Sequence, residues 1–196
     1  MSGVASPYGL RPVQLLGGLP FAGAIRSYPL TTNSTSAFFF GDPVGLKGGQ
    51  VIAVAASPTV TLSDNSPIGI FMGCEYQDPV RGFVNSQMFP ANAITGGAKN
   101  VKFKILDFPD VIMRVQSSGS VAATALGLNA PLVITPGNAA TGDSTVAAGA
   151  AAATTGIALR IVGFVDAPGS APGDAFTDLL VIWNAGVHRH ENPLGQ

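Results

Sequence analysis

The alternation of apolar and polar residues is clearest near the middle of the chain. Val101, Phe103 and Ile105 are apolar, and Lys102 and Lys104 between them are charged. A period of two is typical of a strand that has one buried side and one solvent-facing side. The pattern therefore predicts a half-buried strand.

A turn is predicted directly after this strand. Asp107, Pro109 and Asp110 are turn formers, because aspartates bond nearby backbone N–H groups and proline fixes its own φ angle. A second apolar run covers residues 111–116. We expect the two strands to form an antiparallel pair around this structural turn.

Short apolar runs of the same kind recur along the whole chain. The 196 residues include 25 glycines and 15 prolines, a density of breakers that excludes long helices. A helical turn is predicted only at 121–128, and the Ala-rich stretch 144–155 is predicted to be extended. Other strands are predicted at 25–30, 38–40, 43–46, 51–55, 68–76, 83–89, 129–134, 157–165 and 178–184. The predicted fold class is all-β with little helix: a β-sandwich or jelly-roll-like body, or a partly closed barrel.

The pattern divides the chain into three parts. Residues 1–24 are an extended N-terminal arm, residues 25–185 are the β-rich body, and residues 186–196 are a polar C-terminal tail. The arm is interrupted too often for stable strand pairing, yet it is less polar than a disordered linker. We expect it to become ordered on a surface, either that of its own body or that of a neighbouring chain.

The composition favours a subunit of an assembly. Charged residues make up 11% of the chain, against about 25% in ordinary domains, and the mean hydropathy is +0.37. No run is predicted to span a membrane, and no secretory signal is recognised. A surface poor in charge is typical of one that other chains cover. The sequence therefore predicts self-association and no membrane partner.

Charge and cysteine content restrict the partners further. The net charge is −1 and the pI is about 6.0, whereas a nucleic-acid-binding face is basic. The lone Cys74 excludes an internal disulfide and a thiolate metal site. We interpret it as a small buried apolar residue.

Two histidines are the main candidates for chemistry. His188 and His190, followed by Glu191, resemble part of a cupin metal site. Cupins need further ligands on other strands, so a solvated tail is the preferred interpretation. No G-x-S-x-G motif is present, and the scattered carboxylates fit turns better than a glycosidase pair. We predict no enzyme, no catalytic residue, no metal and no cofactor.

Five short motifs, taken in order, resemble a known family. They cover residues 7–13, 16–18, 41–44, 68–76 and 107–110, the last followed by Val115-Gln116. Their order resembles the small capsid cement, or decoration, proteins of tailed bacteriophages. The resemblance implies a β-sandwich or jelly-roll body with extended arms, commonly a trimer, at the outer surface of the virion head. It implies the major capsid protein as a partner, and it supplies no catalytic residue.

The leading hypothesis is therefore a homotrimeric capsid cement protein that stabilises the phage head. The alternatives are a head or tail fibre domain that binds host glycans through exposed aromatic residues and, more remotely, a cupin-like metalloenzyme. Under the leading hypothesis, the arm contacts the capsid or a sister subunit. The residues predicted to make that contact are Tyr8, Leu10, Arg11, Pro12, Leu16 and Phe21.

Overall fold

The computed structural model describes residues 4–54, 66–154, 156–184, 187, 188 and 190. These residues form an all-β, sandwich-like fold of open sheets, as predicted. No helix among them is long and apolar enough to cross a membrane.

Fifteen strands and one 3₁₀ turn follow one another along the described chain. The strands are β1 Arg11–Leu15, β2 Arg26–Pro29, β3 Phe38–Phe39, β4 Pro43–Lys47, β5 Gln50–Ala53, β6 Pro67–Asp78, β7 Gly82–Ser86, β8 Met88–Phe89, β9 Lys99–Leu106, β10 Val111–Gln116, β11 Asn129–Ala130, β12 Leu132–Val133, β13 Ala147–Ala148, β14 Leu159–Phe164 and β15 Asp178–Trp183. The 3₁₀ turn, Ala123–Ala125, lies inside the predicted helical turn, and the described part of 144–155 is extended as expected.

A five-stranded antiparallel sheet has the strand order β1-β10-β15-β14-β11. Its fully buried side chains include Met113, Val115 and Leu179. They belong to one hydrophobic cluster with Leu132 and Ala148 from the two-stranded β12-β13 sheet. This small sheet therefore contributes to the core of the five-stranded sheet.

A six-stranded antiparallel sheet has the order β2-β9-β6-β4-β5, with β7 also paired to β6. Val101, Phe103 and Ile105 of β9 are buried, whereas Lys102 is exposed and Lys104 is half-buried. The predicted alternation is thus confirmed. On this part of β9, Lys102 and Lys104 therefore lie on the side away from the buried phenylalanines.

Four buried phenylalanines form the centre of the second hydrophobic cluster. Phe38 and Phe89 come from the small β3-β8 sheet, and Phe71 and Phe103 come from β6 and β9. The ring of Phe103 lies 4.8 Å from that of Phe38 and 5.0 Å from each of the other two, always at a steep angle. Edge-to-face rings at this spacing attract one another in addition to burying apolar area.

The predicted hairpin around residues 107–110 is wrong. β9 pairs with β2 and β6 in the six-stranded sheet, whereas β10 pairs with β1 and β15 in the five-stranded sheet. The segment Asp107–Asp110 is therefore a crossing between two sheets. β10 is buried on both faces. It therefore pairs on both edges, with β1 and β15, inside a sheet that contributes to the core.

Asp107 does not behave as an ordinary turn residue either. Its carboxylate is 3% exposed and accepts a 2.6 Å hydrogen bond from the Tyr28 hydroxyl. Arg26 Nε and His190 Nε2 lie 3.3 and 3.4 Å from the same oxygen. Burial, followed by the hydrogen bond to Asp107, raises the pKa of Tyr28 to about 12. The side chain thus ties the crossing segment to β2 and to the C-terminal region.

Candidate interaction surface

The described N-terminal residues 4–25 carry an unusual share of exposed apolar side chains. Nine large hydrophobic side chains are exposed in the described chain, and five of them lie in this segment. We call these five the N-terminal apolar surface: Val4, Val13, Leu16, Leu19 and Ile25. Exposed apolar residues concentrated in one segment are typical of a surface that another protein covers.

The same segment is fixed to the body by its other side. Leu10 is completely buried, and its N–H donates a 2.9 Å hydrogen bond to the Gly41 carbonyl. Gly9 has a φ of +78° and donates its N–H to the Val146 carbonyl. A Cβ at Gly9 would lie 2.5 Å from Cβ of Ser144, so only glycine allows this close approach.

Tyr8 anchors the segment to the centre of the five-stranded sheet. Its hydroxyl donates a 2.7 Å hydrogen bond to Asp178 Oδ1 on β15, and Arg114 Nη2 on β10 bonds Oδ2 of the same carboxylate at 2.5 Å. The guanidinium also lies 5.6 Å from the centre of the Tyr8 ring. Burial, with the Asp178 hydrogen bond, raises the pKa of Tyr8 above its ordinary value. The hydroxyl therefore stays protonated as a donor.

Arg11 makes a second anchor, to residues that lie outside the five-stranded sheet. Its Nη2 lies 2.7 Å from Asp143 Oδ1, and its guanidinium lies 4.4 Å from the centre of the Phe40 ring. The hydrogen bond from Arg11 lowers the pKa of Asp143 below its usual range. Both partners are partly exposed, so we expect this ion pair to orient the segment more than to stabilise the fold.

The expectation that the arm is too interrupted for strand pairing is wrong. Residues Arg11–Leu15 form β1, the edge strand of the five-stranded sheet, antiparallel to β10. Pro12 is tolerated because it lies on an edge strand next to a bulge. Pro12 pairs with Met113 and Gln14 with Ile112, so Val13 between them is the extra residue. Val13 is 46% exposed.

A tight turn after β1 presents two further leucines. The Leu15 N–H donates to the Leu19 carbonyl, and the Leu16 N–H donates to the Asp110 carbonyl at 2.7 Å. Leu16 and Leu19 are 52% and 64% exposed. Phe108, in the crossing segment that Leu16 contacts, is 39% exposed. Apolar side chains are thus presented from two adjacent loops.

The predicted contact residues fall into two groups. Leu16 is exposed, whereas Leu10 is buried and Phe21 is partly buried against the body's own core. Tyr8, Arg11 and Pro12 are half-buried and contact or pair with the chain's own body. The prediction missed the exposed residues Val4, Val13, Leu19 and Ile25. Their apolar character was visible in the sequence, but the side on which each would lie was not.

His188 does not lie on a solvated tail as expected, whereas His190 is exposed. Of residues 186–196, only 187, 188 and 190 are among those described; Val187 is 2% exposed and His188 is completely buried. The His188 ring lies 6.2 Å from that of Trp183, and its Nδ1 accepts the His190 N–H. Within the described residues, no group of three or more His, Cys, Asp or Glu side chains could hold a metal ion. Glu191 lies outside them.

The burial of His188 predicts a pH dependence of stability. Burial, and secondarily the nearby His190, lowers the pKa of His188 from its ordinary 6.5 to about 4. Between these two values the unfolded chain binds a proton that the folded chain does not, so stability falls as pH falls through this window. We expect a loss of about 3 kcal/mol between pH 7 and pH 4 from this group. Urea unfolding as a function of pH measures it.

A matched variant separates this effect from the titration of carboxylates. His188→Leu places an apolar side chain at this buried position and removes the titrating ring. The wild-type chain should lose more stability than this variant between pH 6.5 and pH 4. Parallel pH profiles for the two proteins would show that His188 does not control the acid sensitivity.

No family model, curated protein or solved structure matches this chain. The N-terminal segment combines firm anchoring to the body with exposed apolar side chains.

Proposed function

We propose that the chain is a structural virion protein that binds the outer surface of an assembled bacteriophage head and stabilises it. The observation that carries the proposal is the N-terminal apolar surface, which is held against the body by Tyr8, Leu10 and Arg11. A surface fixed before binding loses little conformational entropy when a partner covers it. The order of the short motifs in the sequence supports the choice of partner.

The charge content of the chain fits such a contact. With only 11% charged residues, large areas can be covered without removing many ions from water, which is costly. Val13, Leu16 and Leu19 offer aliphatic side chains that lose water contact at an interface. The major capsid protein is the proposed partner.

Because a capsid surface is repetitive, a contact of modest affinity at each site is sufficient for tight overall binding. We propose that the chain acts as a homotrimer, so that three copies of the N-terminal apolar surface engage neighbouring capsid subunits together. Once one contact has formed, the others become intramolecular, and their effective concentration raises the overall affinity. This arrangement links capsid subunits and resists their separation.

The double variant Leu16→Asp, Leu19→Asp tests the proposed surface in the full-length chain. Both side chains are exposed, so the fold should be retained, but a buried charge opposes docking. We expect the affinity for purified heads that lack this protein to fall by at least about 100-fold, or about 2.7 kcal/mol. Co-sedimentation with the heads measures the bound fraction.

Leu126→Asp is the matched control. Leu126 is 58% exposed and follows the 3₁₀ turn, outside the N-terminal segment. Its substitution should leave head binding unchanged. Equal binding by the wild-type chain, the control and the double variant would assign the contact to some other surface. The melting temperatures of all three proteins check that the substitutions do not act through unfolding.

A further inference from the structure

The six-stranded sheet contains a cleft, lined mostly by polar side chains, that the proposed function does not use. Its volume is about 290 Å³, and it spans three neighbouring strands, β9, β6 and β7. The lining residues are Glu75, Tyr76, Gln77, Phe83, Asn100 and Lys102. The N-terminal apolar surface is associated with β1 of the other large sheet, so a ligand in this cleft would use a separate sheet.

Phe83 is the most unusual residue of this cleft. It is 73% exposed, although Glu75, Gln77, Asn100 and Lys102 in the same cleft are polar. The strand register places it directly opposite Gln77, and Asn85, two residues further along β7, lies opposite Glu75. A flat apolar ring surrounded by amide and charged groups is suited to stack on a ligand that is itself partly polar.

A distorted residue directs another polar group toward the cleft. Asn100 has a φ of +52° and is one of two non-glycine residues with positive φ in the described chain. The register between β6 and β9 shifts here, since Glu75 pairs with Lys102 but Gln77 pairs with Lys99. Bulges of this kind redirect side chains and are frequent beside binding sites. The Asn100 amide nitrogen lies 3.5 Å from Gln77 Oε1.

Positive charge is concentrated around the same cleft. Lys102 and Lys104 lie 3.7 and 3.8 Å from the two oxygens of Glu75, so two ammonium groups share one carboxylate. The cleft lining itself carries one acid and one base, Glu75 and Lys102. Just outside it, Lys99 and Asp78 line a neighbouring pocket, and Arg81 donates its N–H to Asp78. Four basic and two acidic residues give this region a charge of +2, whereas the whole chain carries −1. The local field therefore favours an anion.

We propose that this cleft binds an acidic saccharide, a sugar unit that carries a carboxylate within a longer chain. The apolar face of the sugar ring stacks on Phe83, its hydroxyl groups bond the amides of Gln77 and Asn100, and its carboxylate is attracted by Lys102. The cleft is at the small end of the range for ligand sites, about 300–1,000 Å³. It therefore suits one sugar unit, and repetition of the protein on a large assembly would raise the affinity of each weak site.

The test uses the purified full-length chain and three defined oligosaccharides. Hyaluronan fragments and oligosialic acid carry carboxylates of two different kinds, and maltoheptaose is a neutral control. We expect binding to at least one acidic oligosaccharide at physiological salt, and at least ten-fold weaker binding to maltoheptaose. Isothermal titration or a chemical-shift titration measures the dissociation constants. The two acidic arms distinguish a uronic acid from a sialic acid as the source of the carboxylate.

Two variants and a control identify the site. Phe83→Ala should weaken acidic saccharide binding about ten-fold, and Lys102→Gln should reduce the preference for acidic over neutral chains. Leu126→Ala removes another exposed apolar side chain, outside the cleft, and should have no effect. The proposal is overturned if none of the acidic chains binds at millimolar concentration. It is equally overturned if binding survives Phe83→Ala unchanged, because the attraction would then be a nonspecific charge effect.

Discussion

Replacing Phe103 by alanine should lower the free energy of unfolding by about 4 kcal/mol, within the range of about 3–5 kcal/mol for a buried phenylalanine. The side chain is completely buried, and its ring touches three others at centroid distances of 4.8–5.0 Å. The substitution leaves a cavity at the point where the β3-β8 sheet meets the six-stranded sheet. Each lost ring pair adds to the cost of the lost apolar burial.

Urea unfolding measures this loss, and Phe83→Ala provides the comparison. Phe83 is 73% exposed in the same sheet, so its truncation should change stability by less than about 0.5 kcal/mol. A natural domain is stabilised by only about 5–15 kcal/mol, so the Phe103 variant should unfold at a much lower urea concentration. A loss below about 1.5 kcal/mol would contradict the central position of this ring.

Gly69→Ala should be nearly as damaging, by about 3 kcal/mol, for a different reason. Gly69 lies on β6, and a Cβ there would be 2.0 Å from the Leu106 carbonyl oxygen and 2.9 Å from Asp107 Cα. Both contacts are with backbone, which cannot rotate away as a side chain can. β6 and β9 would have to separate where the chain leaves the six-stranded sheet, and forced overpacking typically costs about 1–3 kcal/mol.

Gly119→Ala is the control for this substitution. Apart from its chain neighbours, no atom of the described residues lies within 4 Å of a Cβ at Gly119, and its φ is outside the left-handed region. Alanine there should be neutral or stabilise the chain by up to about 1 kcal/mol, since it restricts the unfolded state. Thermal unfolding of both variants checks the contrast. Equal melting temperatures would mean that β6 and β9 are not in tight contact at this position.

Most strands of the body, unlike β1 in the N-terminal segment, were predictable from the sequence because they depend on local apolar runs and alternation. Val101, Phe103 and Ile105 are buried as expected. The partner of each strand was not predictable from such a pattern. Residues 111–116 are apolar almost without interruption, which is typical of a strand buried on both faces. That signal argues against a half-buried hairpin, whereas the strong turn residues before it favour one.

The role of Asp107 depends on contacts that are distant along the chain. Its hydrogen-bond partner Tyr28 is 79 positions away, and His190 is 83 positions away. An aspartate before a Phe-Pro pair fits a turn equally well whether its carboxylate is exposed or buried. Local pattern therefore identified a turn but not the buried contacts of its first residue.

The N-terminal segment shows the same limit at the candidate site. Leu10 and Leu16 are the same residue type in similar Gly- and Pro-containing surroundings, yet Leu10 is buried and Leu16 is 52% exposed. The difference arises from the β1 bulge and from the turn between Leu15 and Leu19. Composition indicates that the segment is rich in apolar residues that can pack on another surface. Only the tertiary contacts decide which of these side chains are available to a partner.

The number of copies of the full-length chain bound per purified head tests the central proposal most directly. Heads that lack the protein are mixed with increasing amounts of it, and the bound copies are counted by quantitative mass analysis of the sedimented particles. The account predicts saturable binding at a fixed number of copies per capsid subunit, with heads that then resist heat or low salt better. No saturable binding, or binding without any gain in head stability, would contradict it.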